Sequence, residues 1–366
     1  MKNLLNPIID ELMPPPTGKP VEELLRRYNL EKFVKLGSNE NPFPVPENVA
    51  KAIRNEIKSL GLYPDNDSYY LRKRIADCNG IALENVIMGA GSVEIIRMLV
   101  KTFLRPGETV MTAASTFPMF KVAAIENGGR QAIVEVEMDD GYGFDLDGMA
   151  RLVDEKTKII FIANPNNPTG TLLSKNRIND FIDRIPEDRI IVLDNAYQEY
   201  VDDQATYEDG IALALNRKNI VVLRTFSKIY ALAGLRIGYA ISNEEIISLL
   251  NRVKMPFNLT RVAQAAALAS LENDDFKLKS VQLNRKNKPI LFSQLKDLGL
   301  KPVPSAANFI LFFPETDIKR LNEALLKEGV IIRPLAPFGV PNGMRVTVGF
   351  EEDINFFIEK LKKVLP

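Results

Sequence analysis

Three apolar runs, Ile159 to Ala163, Ile190 to Leu193 and Ile220 to Leu223, cross the middle of the chain with no polar residue inside them. A strand with one wet face alternates apolar and polar residues, so continuous runs of this length predict parallel strands covered by helices on both faces. Each run ends in polar residues. The first leads into Asn164-Pro165-Asn166-Asn167-Pro168-Thr169-Gly170, the second into Asp194-Asn195-Ala196-Tyr197, and the third into Thr225, Ser227 and Lys228. Parallel sheets bind their ligands at the carboxyl ends of the strands. Asn167, Asp194 and Lys228 are therefore expected to meet in one crevice, a convergence that helix capping alone explains poorly.

The periodicity elsewhere surrounds these strands with helices. Val49, Ile53 and Ile57 recur at helical spacing between Pro46 and Leu60, and Leu71, Ile75 and Ala76 mark a second helix after the loop Leu62-Tyr63-Pro64-Asp65. Asn85 to Met88 reads as a short strand, Gly89-Ala90-Gly91 as a tight turn, and Ile95, Ile96, Leu99 and Val100 as the apolar face of the helix that follows. Thr109 to Ala113 is another strand, with a helix beginning near Lys121. Nearer the N-terminus, Val21 to Tyr28 has helical character and Phe33 to Leu36 is a short strand leading into Ser38-Asn39-Glu40-Asn41-Pro42. Residues 1–20 are expected to form an irregular arm, because Pro7, Pro14, Pro15, Pro16 and Pro20 obstruct both helix and central strand. Beyond Asn251 the pattern changes to a long helical region, Leu259 to Leu298, followed by strands (Phe309 to Phe313, Val330 to Arg333, Met344 to Val348) interleaved with helices (Ile318 to Lys327, Ile354 to Leu365). The whole predicts an α/β protein: a large domain (45–254) with a mainly parallel central sheet flanked by helices, and a smaller α+β domain (255–366) that shares residues 1–44 with the arm.

Composition narrows the function. At 366 residues the chain exceeds the prior of about 150 per domain, in keeping with two domains. Lysine plus arginine and aspartate plus glutamate both number 47, so no global field draws in nucleic acid or an anionic membrane, and the expected partner is a small molecule. No stretch approaches the roughly 20 apolar residues of a membrane span. The one cysteine, Cys78, fits a reducing compartment, and the cytoplasm is the expected location. Histidine is absent, which excludes Ser-His, Cys-His and His-metal chemistry and leaves Lys, Tyr, Asp or Glu to move protons.

The candidate chemistry follows from what surrounds Lys228. A lysine at the mouth of an apolar pocket has a lowered pKa and condenses with an aldehyde. Thr225 and Ser227 precede it, and Arg236 follows eight positions later; together they can hold a dianionic group nearby. The glycine turn ending at Gly91 and Ser92 presents free backbone N–H groups to a phosphate, without the spacing of a dinucleotide fold or the lysine of a P-loop. Phe117, fixed just before Pro118, can stack on a flat ring.

The set formed by Asn167-Pro168-Thr169-Gly170, Asp194-Asn195-Ala196-Tyr197 and Ser227-Lys228 with Arg236 resembles the fold-type I aminotransferases that use pyridoxal 5′-phosphate. Within that group, Ser38-Asn39-Glu40-Asn41-Pro42, Tyr63-Pro64-Asp65, Pro256-Phe257-Asn258 and Gly329 to Leu335 resemble the histidinol-phosphate aminotransferases. The resemblance implies that Lys228 bonds the cofactor and shuttles a proton, that Asp194 faces the pyridine nitrogen, and that Asn167 and Tyr197 hydrogen-bond the ring oxygen. It implies that Phe117 stacks on the ring, and that Gly91, Ser92, Thr225, Ser227 and Arg236 hold the phosphate. Tyr63 is implied to reach that phosphate from a second copy of the chain, making a homodimer with a shared active site. Asn39, Arg333 and Arg345 are implied to contact substrate, with Arg345 on a carboxylate and Arg333 on the phosphate of histidinol phosphate. The amino donor would be L-histidinol phosphate, with 2-oxoglutarate as the 2-oxo acid. Two positions depart from the subfamily: Pro14-Pro15 stands where a Pro-Tyr is usual, and Val93 replaces an aspartate. The second departure resembles aromatic-amino-acid aminotransferases, which stay an alternative, as does a threonine-phosphate decarboxylase of the same fold.

Overall fold

The computed structural model describes residues 4–12, 21–139 and 142–365; Pro14, Pro15, Pro16 and Pro20 of the arm lie outside them. Its strands are β1 (Val34–Lys35), β2 (Val86–Gly89), β3 (Thr109–Ala113), β4 (Ile133–Val136), β5 (Thr157–Ala163), β6 (Ile190–Asp194), β7 (Ile220–Thr225), β8 (Gly238–Ile241), β9 (Lys301–Pro302), β10 (Phe309–Phe313), β11 (Val330–Ile331), β12 (Arg333–Pro334) and β13 (Met344–Thr347). The three continuous apolar runs are neighbours in a seven-stranded sheet of order β2-β8-β7-β6-β5-β3-β4. Every residue of β6 and β7 is buried. Alternate side chains serve opposite faces: Ile160, Ile162, Ile191, Leu193 and Val222 join one apolar cluster, while Ile159, Phe161, Val192, Val221 and Leu223 join the other. Two buried faces are why these strands carry no polar residue.

Only β8 runs against its neighbours, pairing antiparallel with both β2 and β7. The reversal decides where the site lies. β8 begins at the rim where β2, β5, β6 and β7 end, and its first residue, Gly238, pairs with Gly89 on one side and Thr225 on the other. Arg236, two residues earlier, reaches the same rim. A β-carbon added at Gly238 would lie 2.6 Å from the Ser92 nitrogen, 2.8 Å from the Gly91 carbonyl carbon and 2.9 Å from the Arg224 oxygen. All three are backbone atoms in fixed elements, so none yields cheaply. Gly238→Ala is expected to cost about 1–3 kcal/mol of stability and to weaken cofactor binding roughly tenfold, read by thermal melting and by cofactor titration.

The second sheet is antiparallel, of order β12-β13-β10-β9, and β1 pairs parallel with β11 beside it. Its core gathers Val34, Leu36, Leu291, Leu295, Ile310, Phe312, Val346 and Phe357. Residues 34–36 thus pack with the C-terminal part of the chain. Conversely, the helix Arg261–Ser270 puts Ala263, Ala266 and Ala267 into the core of the large sheet.

Four local expectations are corrected. The strand expected over Val330 to Arg333 breaks at Ile332, because β11 is needed by β1 and β12 by β13. The long region from Leu259 divides into the helices Arg261–Ser270 and Asp274–Asp297, with Asn273 capping the second through the Phe276 N–H at 3.1 Å. The helix Glu47–Glu56 passes into a 3-10 turn, and Ile57, read as part of its apolar stripe, is 56% exposed. In the arm, Pro7–Glu11 forms a 3-10 helix. Pro7 is tolerated there because the first helical position has no N–H to satisfy, and Asn6 accepts from the Ile8 N–H at 3.1 Å.

Candidate active site

A cavity of about 250 Å³ opens at the carboxyl ends of the parallel strands. Gly91, Ser92, Phe117, Asn167, Asp194, Tyr197, Thr225, Ser227, Lys228 and Arg236 all line it. A larger groove of about 620 Å³ lies at the opposite end of the sheet, beside Asn216 and Asn243, and contains none of these residues.

Lys228 is presented by a turn that the sequence closes on itself. Thr225, the last residue of β7, accepts the Ser227 N–H at 3.1 Å and donates its hydroxyl to the Ile237 carbonyl at 3.3 Å. The Lys228 ammonium donates to the Ser38 carbonyl at 3.1 Å and lies 5.7 Å from the centre of the Tyr197 ring. Burial brings its pKa down to about 7, helped by the Arg345 charge and opposed by Glu40. Near neutrality about half of such an amine is a free nucleophile. Limiting acetic anhydride is expected to label Lys228 of the cofactor-free protein half-maximally near pH 7, while exposed lysines gain reactivity only toward pH 10, as read by peptide mass spectrometry. The unfolded chain keeps this amine near 10.5, so between about 7 and 10.5 unfolding takes up a proton and the cofactor-free protein gains stability as pH rises.

Asp194 closes β6. Burial pushes its carboxyl up to about 6, against the Ala196 N–H that it accepts at 3.1 Å and the nearby Lys228 charge. A cation arriving on the cavity side would return it to the ionised form. Tyr197 is raised above its ordinary value by burial, against the Arg345 charge and a hydrogen bond from the Asn39 amide at 3.0 Å.

The anion end of the cavity is built from backbone. Gly91, at φ +76°, caps the helix Ser92–Phe103 and leaves its first N–H groups facing the cavity. Arg236, itself at φ +55°, donates to the Ala233 carbonyl at 3.1 Å, and its guanidinium lies so close over Gly91 that an added β-carbon would stand 2.8 Å from Nη2. Glu94 keeps out of this end: its carboxylate turns back to accept the Ala90 N–H at 2.5 Å and the Asn258 amide at 2.8 Å.

Arg345 stands behind Asn167 and donates to its Oδ1, and to the Gly37 carbonyl at 3.2 Å. Its guanidinium carbon lies 5.1 Å from the Phe309 ring centre and 5.2 Å from that of Phe338. Its Nε is buried without a hydrogen-bond partner among the described residues, and burial lowers its pKa to about 10. A buried cation with an unused donor is stabilised by an incoming anion. Arg333 pairs with Arg345 across β12 and β13 and also donates to the Gly37 carbonyl, at 3.3 Å.

The sequence profile of the family described as aminotransferase class I and II matches residues 31–361. The chain belongs to this family. A histidinol-phosphate aminotransferase of Anaeromyxobacter sp. (strain Fw109-5) is 42% identical over 363 residues, 99% of each chain. Another, from Caldicellulosiruptor saccharolyticus, is 40% identical over 358 residues, covering 98% of this chain and 99% of its own. Among solved structures, histidinol-phosphate aminotransferase from Sinorhizobium meliloti in complex with pyridoxal-5'-phosphate superposes with a TM-score of 0.89 at 27% identity, over 99% of this chain and 97% of that one. A Thermus thermophilus aspartate aminotransferase mutant, at 24% identity and TM-score 0.82, shares the fold. The architecture is that of the fold-type I aminotransferases.

The residues of this aminotransferase fit pyridoxal 5′-phosphate. The turn at Gly91 and Ser92 with Arg236 above it suits a phosphate, the carboxyl of Asp194 suits a protonated ring nitrogen, and the amine of Lys228 suits an aldehyde. Four residues expected at the site do not line the cavity. Tyr63 is 78% exposed and stacks on Phe257, with ring centres 4.6 Å apart. Asn39 is buried and reaches Tyr197, while Arg333 and Arg345 stand behind Asn167 and Gly37. Sequence reasoning missed Phe338 and Thr347, which carry no local signal because their partners are Arg345 and Asn39.

Proposed function

We propose that this aminotransferase moves the amino group between L-histidinol phosphate and 2-oxoglutarate, in histidine biosynthesis, with pyridoxal 5′-phosphate as cofactor. When bound, that cofactor supplies an electrophilic aldehyde and a ring that withdraws electrons from the substrate's reacting carbon. The chain's residues do the rest. Lys228, uncharged in good part near neutrality, would hold the cofactor through its amine and serve as the base that moves a proton from and to the substrate. Asp194 would keep the ring nitrogen protonated, Asn167 and Tyr197 would donate toward the ring oxygen, and Phe117 would pack on the ring. Gly91, Ser92, Thr225, Ser227 and Arg236 hold the phosphate.

The observation that carries the choice of substrate is the pairing of Arg333 with Arg345 on adjacent strands. Arg345 offers a planar fork to the carboxylate of glutamate, and Arg333 supplies a second cation for the phosphate of histidinol phosphate. Full-length relatives named histidinol-phosphate aminotransferase support the same reading. One observation favours an aromatic donor instead: Val93 puts an apolar side chain in the cavity wall. Titration of the loaded protein with L-histidinol phosphate, L-phenylalanine and L-glutamate, followed by visible absorbance, separates the two. Histidinol phosphate is expected to discharge the cofactor's visible band at far lower concentration than phenylalanine; the reverse order makes the enzyme an aromatic aminotransferase.

The reading includes a homodimer in which Tyr63 reaches the phosphate of the other copy. Its exposure, together with that of Leu60, Leu62 and Phe257, supports this. It also includes a cytoplasmic location and a division into 1–44, 45–254 and 255–366, although the helix Arg261–Ser270, with Ala307 and Phe309, packs into the core of the large sheet. No helix among the described residues is long and apolar enough to cross a membrane.

A further inference from the structure

Asn39 is buried, with backbone in the left-handed region at φ +54°, and it uses its backbone N–H and C=O and both ends of its side chain. Its backbone N–H donates to the Thr347 hydroxyl at 3.0 Å, its Oδ1 lies 3.3 Å from the same hydroxyl, and its Nδ2 donates to the Tyr197 phenol oxygen at 3.0 Å. Its carbonyl accepts from the Asn308 amide at 3.2 Å. A backbone N–H can only donate, so the Thr347 oxygen is its acceptor. The Thr347 hydroxyl directs its own proton to Asn39 Oδ1. The amide is thereby oriented with Nδ2 toward Tyr197, and the phenol oxygen accepts.

We infer that Thr347 and Asn39 are positioning residues that fix Tyr197 as a hydrogen-bond donor into the cavity. A phenol whose oxygen accepts from the protein has its own proton free to point elsewhere, and Tyr197 faces the cavity. Hydrogen bonds in such a chain polarise one another, so the donor is strengthened as well as aimed. Thr347 lies two residues from Arg345 on β13, on the same face of the strand. The strand that carries the carboxylate-binding arginine thus also sets the polarity of Tyr197. Asn39 is thereby given a role through Tyr197 in place of direct contact with substrate.

The inference rests on the reading that Tyr197 meets the cofactor's ring oxygen. A donor there favours the anionic form of that oxygen, so losing it raises the pH midpoint at which the bound cofactor's visible absorbance changes. The test titrates that absorbance in the loaded wild-type enzyme and in Thr347→Val, Thr347→Ser and Asn39→Gly; glycine retains the left-handed backbone while removing the amide. Lys228, Asp194, Arg345 and Tyr200 are the ionisable groups facing Tyr197, and they are the same in all four proteins. Thr347→Val and Asn39→Gly are expected to raise the midpoint by about half a unit to one unit, the size of one hydrogen bond, with Thr347→Ser at the wild-type value. The Michaelis constant for glutamate is expected to stay within about twofold in Thr347→Val, because Arg345 keeps its own partners. A wild-type midpoint that neither Thr347→Val nor Asn39→Gly moves overturns the inference and leaves the site reading standing. A shift in Asn39→Gly alone overturns Thr347 as the source of the polarity. If Thr347→Val does not fold, Asn39→Gly decides on its own, an unchanged midpoint overturning the inference. A wild-type protein with no pH-dependent visible band overturns the site reading and the inference with it.

Discussion

Lys228→Ala is expected to lower the turnover number by at least about 10³-fold while leaving a folded protein that still takes up pyridoxal 5′-phosphate. Proton transfer by a positioned side chain contributes about 10²–10⁴-fold, and this lysine also supplies the covalent attachment. The fold should survive because, among the described residues, the Lys228 amine makes a hydrogen bond only to Ser38, and because burial already disfavours its charge. The phosphate end, at Gly91, Ser92 and Arg236, is untouched by the change. Histidine cannot take over, since the chain has none, and Asp194, a carboxyl of the same cavity, is placed to face a ring nitrogen. Steady-state kinetics of the variant check the loss, and a small added amine such as methylamine should restore part of the rate by acting as a free base in the emptied space.

Arg345→Lys is expected to lower kcat/KM for glutamate roughly 100-fold, chiefly through KM. Two charge-assisted hydrogen bonds of about 1.5–3 kcal/mol each cannot both be kept by a point charge, and a lysine cannot serve the Asn167 oxygen and the Gly37 carbonyl together as the guanidinium does. The flat guanidinium also lies between Phe309 and Phe338, and an ammonium does not fill that slot. Histidinol phosphate should suffer less than glutamate, because Arg333 remains and a phosphate is well served by a point charge. The ratio of the two losses, from kinetics on each donor, is the measured quantity. Equal losses would mean that Arg345 does not discriminate between the two anions.

How much of this was legible in the sequence depended on whether a residue's role follows from its own strand. Asn167, Asp194 and Lys228 were placed together because three uninterrupted apolar runs predict doubly covered parallel strands, and such strands end on one rim. The reversal of β8 was not legible. Four residues from Gly238 to Ile241 carry no direction, yet that direction brings Arg236 to the rim. Arg345 was recognisable as a candidate, but Asn167, its partner, lies 178 residues away, and Phe338 had no signal at all. Ile57 misled because it kept a helical spacing after the helix had tightened into a 3-10 turn and turned it outward. The Val330 to Arg333 run misled for a related reason: β propensity marked it as strand, while the break at Ile332 comes from two different partner strands competing for it.

The central claim is that Lys228 is the amine that bonds the cofactor. The direct measurement is to load the protein with pyridoxal 5′-phosphate, reduce it with borohydride, digest it and locate the modified lysine by mass spectrometry. The account predicts one stoichiometric label, on Lys228, and none when L-glutamate is added first to displace that amine. A label on any other lysine, or no stable label at all, would contradict it.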